Sequence, residues 1–194
     1  MRKIADTILV RRRHVCPRWC CFTFDNAFRR LIHRPARLLL PYLQPGMTAL
    51  DVGPGLGYFT IPMARAVGPS GRVIAADVQP AMLSAVERRA RRAGLTERIR
   101  THLSKDTELG VIETVDFALA FWVIHEVPEP ARLLGEILAA LRPGGLFLLA
   151  EPRLHVSPQK FEELIAVVLA AGFALRDRPK VALSRAALLA RTGV

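Results

Sequence analysis

The sequence predicts an α/β chain built on a mostly parallel, seven-stranded sheet, doubly wound with helices on both faces. Three observations predict it. Apolar runs of strand length alternate with helical stretches from Met47 onward. Two of these runs, Val115–Phe121 and Leu146–Ala150, are apolar almost throughout, as strands buried on both faces must be. A third run, Leu50-Asp51-Val52, leads straight into Gly53-Pro54-Gly55-Leu56-Gly57, three glycines at alternate positions.

Each element has its own signal. Asp25 is a plausible N-cap for a helix over Asn26–Ile32, and Pro35 suits the first turn of a helix to about Tyr42. Residues 1–46 therefore read as an N-terminal helical cap segment, and 47–194 as the main domain. The turn pair Pro45-Gly46 opens strand one at 47–52, and a helix is expected over Tyr58–Val67. Gly71 opens strand two, Arg72–Asp77; Pro80 starts a helix that Gly94 stops. Ile99–Leu103 is a weaker third strand and Val115–Phe121 a fourth. Pro130 begins a helix to Leu141, ended by Arg142-Pro143-Gly144-Gly145, and Leu146–Ala150 is strand five. Pro158 starts a helix to Ala171, and Phe173–Leu175 and Ala187–Ala190 read as two final strands.

Composition narrows the function classes. A chain of 194 residues that is 51% hydrophobic can bury a substantial core. No apolar run approaches the roughly 20 residues needed to span a bilayer. The first residues have an early acid, Asp6, and a short apolar stretch ending in Arg11-Arg12-Arg13, unlike a secretion signal; a cytoplasmic location is expected. The 28 basic residues outnumber the 17 acids, for a net charge of +11. Such a balance favours contact with anionic lipid or nucleic acid. The clusters that would carry it are Arg11–Arg13, beside Trp19 and Phe22, and Arg88, Arg89, Arg91 and Arg92. The second lies on a helix whose other face is apolar, so a solvated outer face is the better account of it. Cys16, Cys20 and Cys21 form no closed disulfide framework. With His14 they are soft metal ligands in principle, but H-x-C-x3-C-C lacks paired C-x2-C spacing, and no metal is expected.

The glycine turn selects the ligand class. A strand-to-helix turn of glycines lets the main chain approach a ligand where side chains would block it. Dinucleotide folds use G-x-G-x-x-G; here the spacing is G-x-G-x-G, and Tyr58 stands three residues after Gly55. Asp77 ends strand two, 20 residues after Gly57, where a carboxylate can accept two ribose hydroxyls.

The stretch from Leu50 to Thr60 resembles the first motif of the class I S-adenosylmethionine (SAM)-dependent methyltransferases, a Rossmann-like fold. The resemblance continues through Ile74–Leu83, Val115–Phe121, His125-Glu126-Val127-Pro128-Glu129-Pro130, Leu141–Gly145 and Glu151-Pro152. It is similar to the branch with the quinone-biosynthesis C-methyltransferases and many small-molecule methyltransferases. It implies that Asp51, Gly53, Pro54, Gly55 and Gly57 lie along the methionyl and ribose parts of SAM. Asp77 would hold the ribose, with Val78 and Met82 on the adenine. The family's third acid falls on Lys105 by spacing from Leu109, so Asp106, one place later, is the candidate. The product would be S-adenosylhomocysteine.

Methyl transfer is an in-line displacement, and the protein's main task is to hold nucleophile, methyl and sulfur collinear in a dry pocket. The segment after strand four, Phe121-Trp122-Val123-Ile124-His125-Glu126, is expected to face the methyl group, with Phe121 and Trp122 as walls. His125 is the candidate base, since histidine titrates near neutrality. Glu126 is a candidate to orient it, and His155 a second histidine at the same end of the sheet. The function expected is methyl transfer to a small apolar molecule. The alternatives are an RNA methyltransferase, suggested by charge, and a SAM-binding protein without catalysis. The amino-methylating signature Asn/Asp-Pro-Pro-Tyr/Phe is absent after strand four.

Overall fold

The computed structural model describes residues 33–192. The helix expected over 26–32, Arg11–Arg13 and the three cysteines lie outside the described residues.

The sheet has seven strands in the order β3-β2-β1-β4-β5-β7-β6. They are β1 (Thr48–Val52), β2 (Arg72–Asp77), β3 (Ile99–Leu103), β4 (Val115–Phe121), β5 (Leu141–Pro152), β6 (Phe173–Asp177) and β7 (Ser184–Arg191). All neighbours are parallel except β7, which runs antiparallel to both β5 and β6. The helices are α1 (Pro35–Leu39), α2 (Thr60–Ala66), α3 (Pro80–Ala93), α4 (Pro130–Ala140) and α5 (Pro158–Ala170).

The strands alternate their side chains between two cores. Leu50, Val52, Ala118, Ala120 and Leu149 face one, which α4 and α5 cover with Leu134, Ile137, Phe161 and Ile165. Ala49, Phe117, Leu119 and Leu148 face the other, covered by Met63 and Ala64 of α2, by Val67 just after it and by Leu39 of α1. The chain winds from β1 outward to β3, then returns to place β4 on the other side of β1. The order therefore reverses between β1 and β4, the position where ligands bind in open α/β sheets.

The structure departs from the sequence expectations at element ends. α1 stops at Leu39 and not near Tyr42, and α2 begins at Thr60 and not at Tyr58. Residues 53–59 stay outside both elements because three glycines there have positive φ: Gly53 at 64°, Gly55 at 54° and Gly57 at 83°. β5 begins at Leu141, so Arg142–Gly145 lies inside the strand as an irregularity: Val115 pairs with Leu141, but Phe117 pairs with Leu146. Asp116 locks it, accepting from Arg142 Nε at 2.6 Å and from Thr48 N at 2.8 Å. β7 starts three residues before Ala187, since Ser184 and Arg185 pair with Pro152 and Glu151.

α4 runs into β5 with no loop, leaving its last carbonyls without helical partners. Arg191 supplies one: its Nη1 donates to the carbonyls of Leu138, Ala139 and Leu141. A cation at a helix C-terminus also suits the dipole. Arg191→Ala is expected to cost about 1–3 kcal/mol, read as a melting point lower by roughly 3–9 °C, with the sheet intact by circular dichroism.

Candidate functional site

The glycine turn leaves the end of β1 with its backbone pinned. Gly53 N donates to Ala76 O on β2 at 2.9 Å, and Gly57 N to Pro54 O at 2.9 Å. The three glycines serve different ends. A Cβ on Gly53 would lie 2.5 Å from Val123 Cγ2, so the turn is pressed against the segment after β4. A Cβ on Gly57 would meet Val86 of α3 at 3.3 Å. A Cβ on Gly55 would meet nothing within 4 Å: this glycine borders open space. Asp51 is 2% exposed and accepts from Thr60 Oγ1 at 2.6 Å, so the acid of β1 is tied to the first turn of α2.

Asp77 closes β2 beside this turn, one register step beyond the Val52–Ala76 pair. It is 9% exposed. Burial pushes its carboxyl up, backbone N–H groups of Gln79, Gly55 and Val78 pull it part of the way back, and the charge of Glu126 adds to the rise, which leaves it at about 6. The bond from Gln79 N to Asp77 Oδ1 is 2.8 Å. Glu126 belongs to the segment after β4, so the two strand ends feel each other electrostatically.

That segment is the most constrained part of the site. Trp122 sits at φ 63°, a left-handed conformation rare for a bulky residue. It is held there from several sides. Its N donates to Ala150 O at 2.7 Å, its indole Nε1 to Ser184 Oγ at 2.8 Å, and its ring meets His33 and Phe121. Phe121 in turn packs on Phe59 at 4.3 Å between centroids. The wall beside the switch point is therefore aromatic.

Beyond Trp122 the chain makes one 3₁₀ turn, Ile124–Glu126. Glu151, at the end of β5 and 0% exposed, fastens it with both oxygens. Oε1 accepts from Ile124 N at 2.9 Å, and Oε2 pairs with His125 Nδ1. The side chain of His125 is 19% exposed even though the residue's backbone is open to solvent. Burial pulls its proton affinity down, but the hydrogen bond and charge of Glu151, with Glu126 behind them, push harder, and His125 titrates above the ordinary histidine range. The His155 ring lies 5.6 Å from it.

Comparison with known proteins places the chain in a family. Residues 43–172 match the family model described as a methyltransferase domain. The chain belongs to the methyltransferase-domain family. Its curated relatives include a demethylmenaquinone methyltransferase from Symbiobacterium thermophilum, 32% identical over 111 residues, covering 57% of this chain and 44% of that protein. A tRNA (adenine(58)-N(1))-methyltransferase from Thermus thermophilus is 34% identical over 108 residues, 56% of this chain and 41% of that one. The chain thus spans under half the length of these two relatives. In fold it is similar to a crystal structure of a SAM dependent methyltransferase from Aquifex aeolicus, with TM-score 0.83 over 92% of this chain and 100% of that one at 22% identity.

The cofactor of this methyltransferase family is SAM, and the chain's residues fit it. Gly55 offers a cradle that any Cβ would fill, and Asp77 offers a desolvated acceptor next to it. The sheet brings Asp51, Gly53, Pro54, Gly55, Gly57, Asp77, Phe121, Trp122 and His125 to the same end. Val78 is half-buried, while Met82 is 2% exposed within α3. Asp106 stands exposed in the turn after β3, beside the Lys105–Glu108 pair.

Three contributions were not legible in the sequence, although Glu151 itself stands at the expected strand end. Glu151, and not Glu126, holds His125 Nδ1; its one sequence signal is an acid closing the most apolar strand. Thr60 and Ser184 gave no signal, since a hydroxyl's partner depends on tertiary placement.

A buried carboxyl that keeps its proton to about pH 6 destabilises the fold above that pH, because the unfolded chain ionises near 3.9 without cost. Asp77→Asn keeps the acceptor for Gln79 N and removes the charge. It is expected to raise stability at pH 8 by up to about 3 kcal/mol and to give no gain at pH 4. The same variant is expected to lose at least about tenfold in SAM affinity by calorimetry.

Proposed function

We propose that this chain is a SAM-dependent methyltransferase that transfers a methyl group to a small, apolar molecule by in-line displacement. The observation that carries this reading is the pairing of an open glycine cradle at Gly55 with the buried Asp77 carboxyl at the switch point of the sheet. SAM supplies an electrophilic methyl group and a sulfur leaving group.

The protein's own residues then divide the work. The main chain through Gly53, Pro54, Gly55 and Gly57 runs beside the methionyl part, with Asp51 and Thr60 bracing it from below. Asp77 accepts the ribose hydroxyls when ionised. Val78 and Met82 flank the adenine, and Asp106 accepts from its amino group. Phe121 and Trp122 form a flat apolar wall that excludes water from the transfer zone. His125 is the base for an acceptor that must lose a proton. Residues 47–194 form the SAM-binding methyltransferase domain, and 1–46 a cap on it.

The aromatic wall of Phe59, Phe121 and Trp122 supports an apolar acceptor. A specific observation favours a second reading, an RNA acceptor: the net charge of +11 together with the tRNA methyltransferase relative.

Incubating the protein with methyl-labelled SAM and a cell extract separates these readings. Label in the lipid or small-molecule fraction is the expected outcome. Label in RNA supports the second reading, and label in no fraction points to a SAM-binding protein without catalysis. Calorimetry supplies a further check. Affinity for S-adenosylhomocysteine is expected to fall about tenfold from pH 7 to pH 5 as Asp77 protonates, and to stay flat in Asp77→Asn. An undetectable heat at both pH values sinks the cofactor assignment.

A further inference from the structure

Glu151 stands outside the cofactor cradle, yet it is a fully buried acid with both oxygens engaged. A buried carboxylate needs such partners, and these two come from the 3₁₀ turn that carries His125. The N–H of Ile124 is a donor in every protonation state. His125 Nδ1 must also donate, because a carboxylate oxygen offers only lone pairs. A neutral His125 held this way has its proton on Nδ1 and its lone pair on Nε2.

The ring edge opposite Glu151 is the one that can meet a ligand. Nε2 lies 3.9 Å from Glu126 Oε1, too long for a hydrogen bond, and Glu126 is the group whose charge reaches Asp77. The Nε2 edge therefore lies on the side of the site that holds the ribose acid. Three groups face His125: Glu151 from β5, Glu126 from its own turn, and the His155 ring from the segment after β5; the charge of Glu126 also reaches Asp77 of β2.

We infer that Glu151 is a positioning residue that fixes His125 as a proton acceptor at Nε2, and that the acceptor molecule is one whose hydroxyl or enol gives up a proton on methylation. This rests on the SAM-dependent reading above. The acceptor O–H gives its proton to Nε2 as the oxygen lone pair forms the bond to the methyl carbon. The carbon–sulfur bond breaks with its electron pair going to sulfur, and the imidazolium later releases its proton to water. An acceptor that is already an unprotonated nucleophile, such as a thiolate or a carboxylate, has no use for this arrangement. The logic is that of the carboxylate in a hydrolase triad, which holds the imidazole tautomer and steadies its cation without taking the proton.

The test uses the full chain, ¹⁵N-labelled and loaded with S-adenosylhomocysteine. Histidine ring spectra are recorded across pH 5–9, and the His125 signals are assigned by their loss in His125→Asn. The wild-type ring is expected to carry its neutral proton on Nδ1 and to titrate above the ordinary histidine value. Glu151→Gln keeps an oxygen for Ile124 N but turns an amide N–H toward Nδ1. It is expected to move the proton to Nε2 and the titration to lower pH, with S-adenosylhomocysteine affinity changed less than twofold.

Label transfer from SAM to the extract fraction that accepts it is expected to rise with pH through that titration. It should fall at least about 100-fold in Glu151→Gln and in His125→Asn. An Nε2-protonated wild-type ring, or a titration that Glu151→Gln leaves in place, overturns the positioning role. A flat wild-type pH profile overturns the acceptor class. The ring spectra need no acceptor, so they decide this inference even if no fraction takes label, which is the separate failure of the methyltransferase reading. If Glu151→Gln does not fold, the wild-type tautomer and His125→Asn still decide it.

Discussion

The buried carboxylate of Glu151 is the interaction on which the active end of this molecule depends. It sits at the end of β5 with no exposure, and its two oxygens hold the backbone of Ile124 and the ring of His125. A charge in that position is tolerable only with both bonds made, so the 3₁₀ turn after β4 cannot swing away without stranding it. The strained φ of Trp122 belongs to the same arrangement. The chain must turn sharply on leaving β4 to bring Ile124 and His125 over β5, and Trp122 takes the left-handed conformation that allows this. Its indole bond to Ser184 and its packing on His33 offset the cost.

β7 therefore matters to the site although it lies away from the switch point. Its antiparallel entry between β5 and β6 brings Ser184 opposite Pro152, close enough to receive the Trp122 indole. Arg153 Nε adds a second tie by donating to Ser184 O at 3.0 Å. The aromatic wall of the candidate site is thus fixed from the far side by a strand whose first two residues are polar.

Most of the fold was legible from the sequence because it follows from periodicity. Strand-length apolar runs, proline starts and glycine stops located the seven strands and the five described α-helices, with ends misplaced by up to five residues, and missed the 3₁₀ turns. The misplaced ends are those where backbone geometry overrides composition. Arg142–Gly145 has the residues of a turn but pairs as an irregular part of β5, because Asp116 binds both Arg142 and Thr48. Of the candidate site, the glycine turn and Asp77 were legible from spacing, and the Trp122–His125 segment from the family resemblance. Glu151 was visible only as an acid after an apolar strand; its partner is 26 residues away in sequence, and nothing local distinguishes it from Glu126, the neighbour of His125. Such partnerships arise from strand register, and a one-residue slip of β5 would turn Glu151 to the opposite face.

The contact between Gly53 and Val123 has a consequence of its own. The glycine turn and the segment that carries His125 touch at a point with no spare room, the space that a methyl group on Gly53 would need. A movement of either toward the other meets this contact first. Where a molecule that orders the turn changes the free energy of the segment through this contact, thermodynamic reciprocity requires that one ordering the segment change the turn equally. Two ligands that never touch would then sense each other's arrival through a single valine.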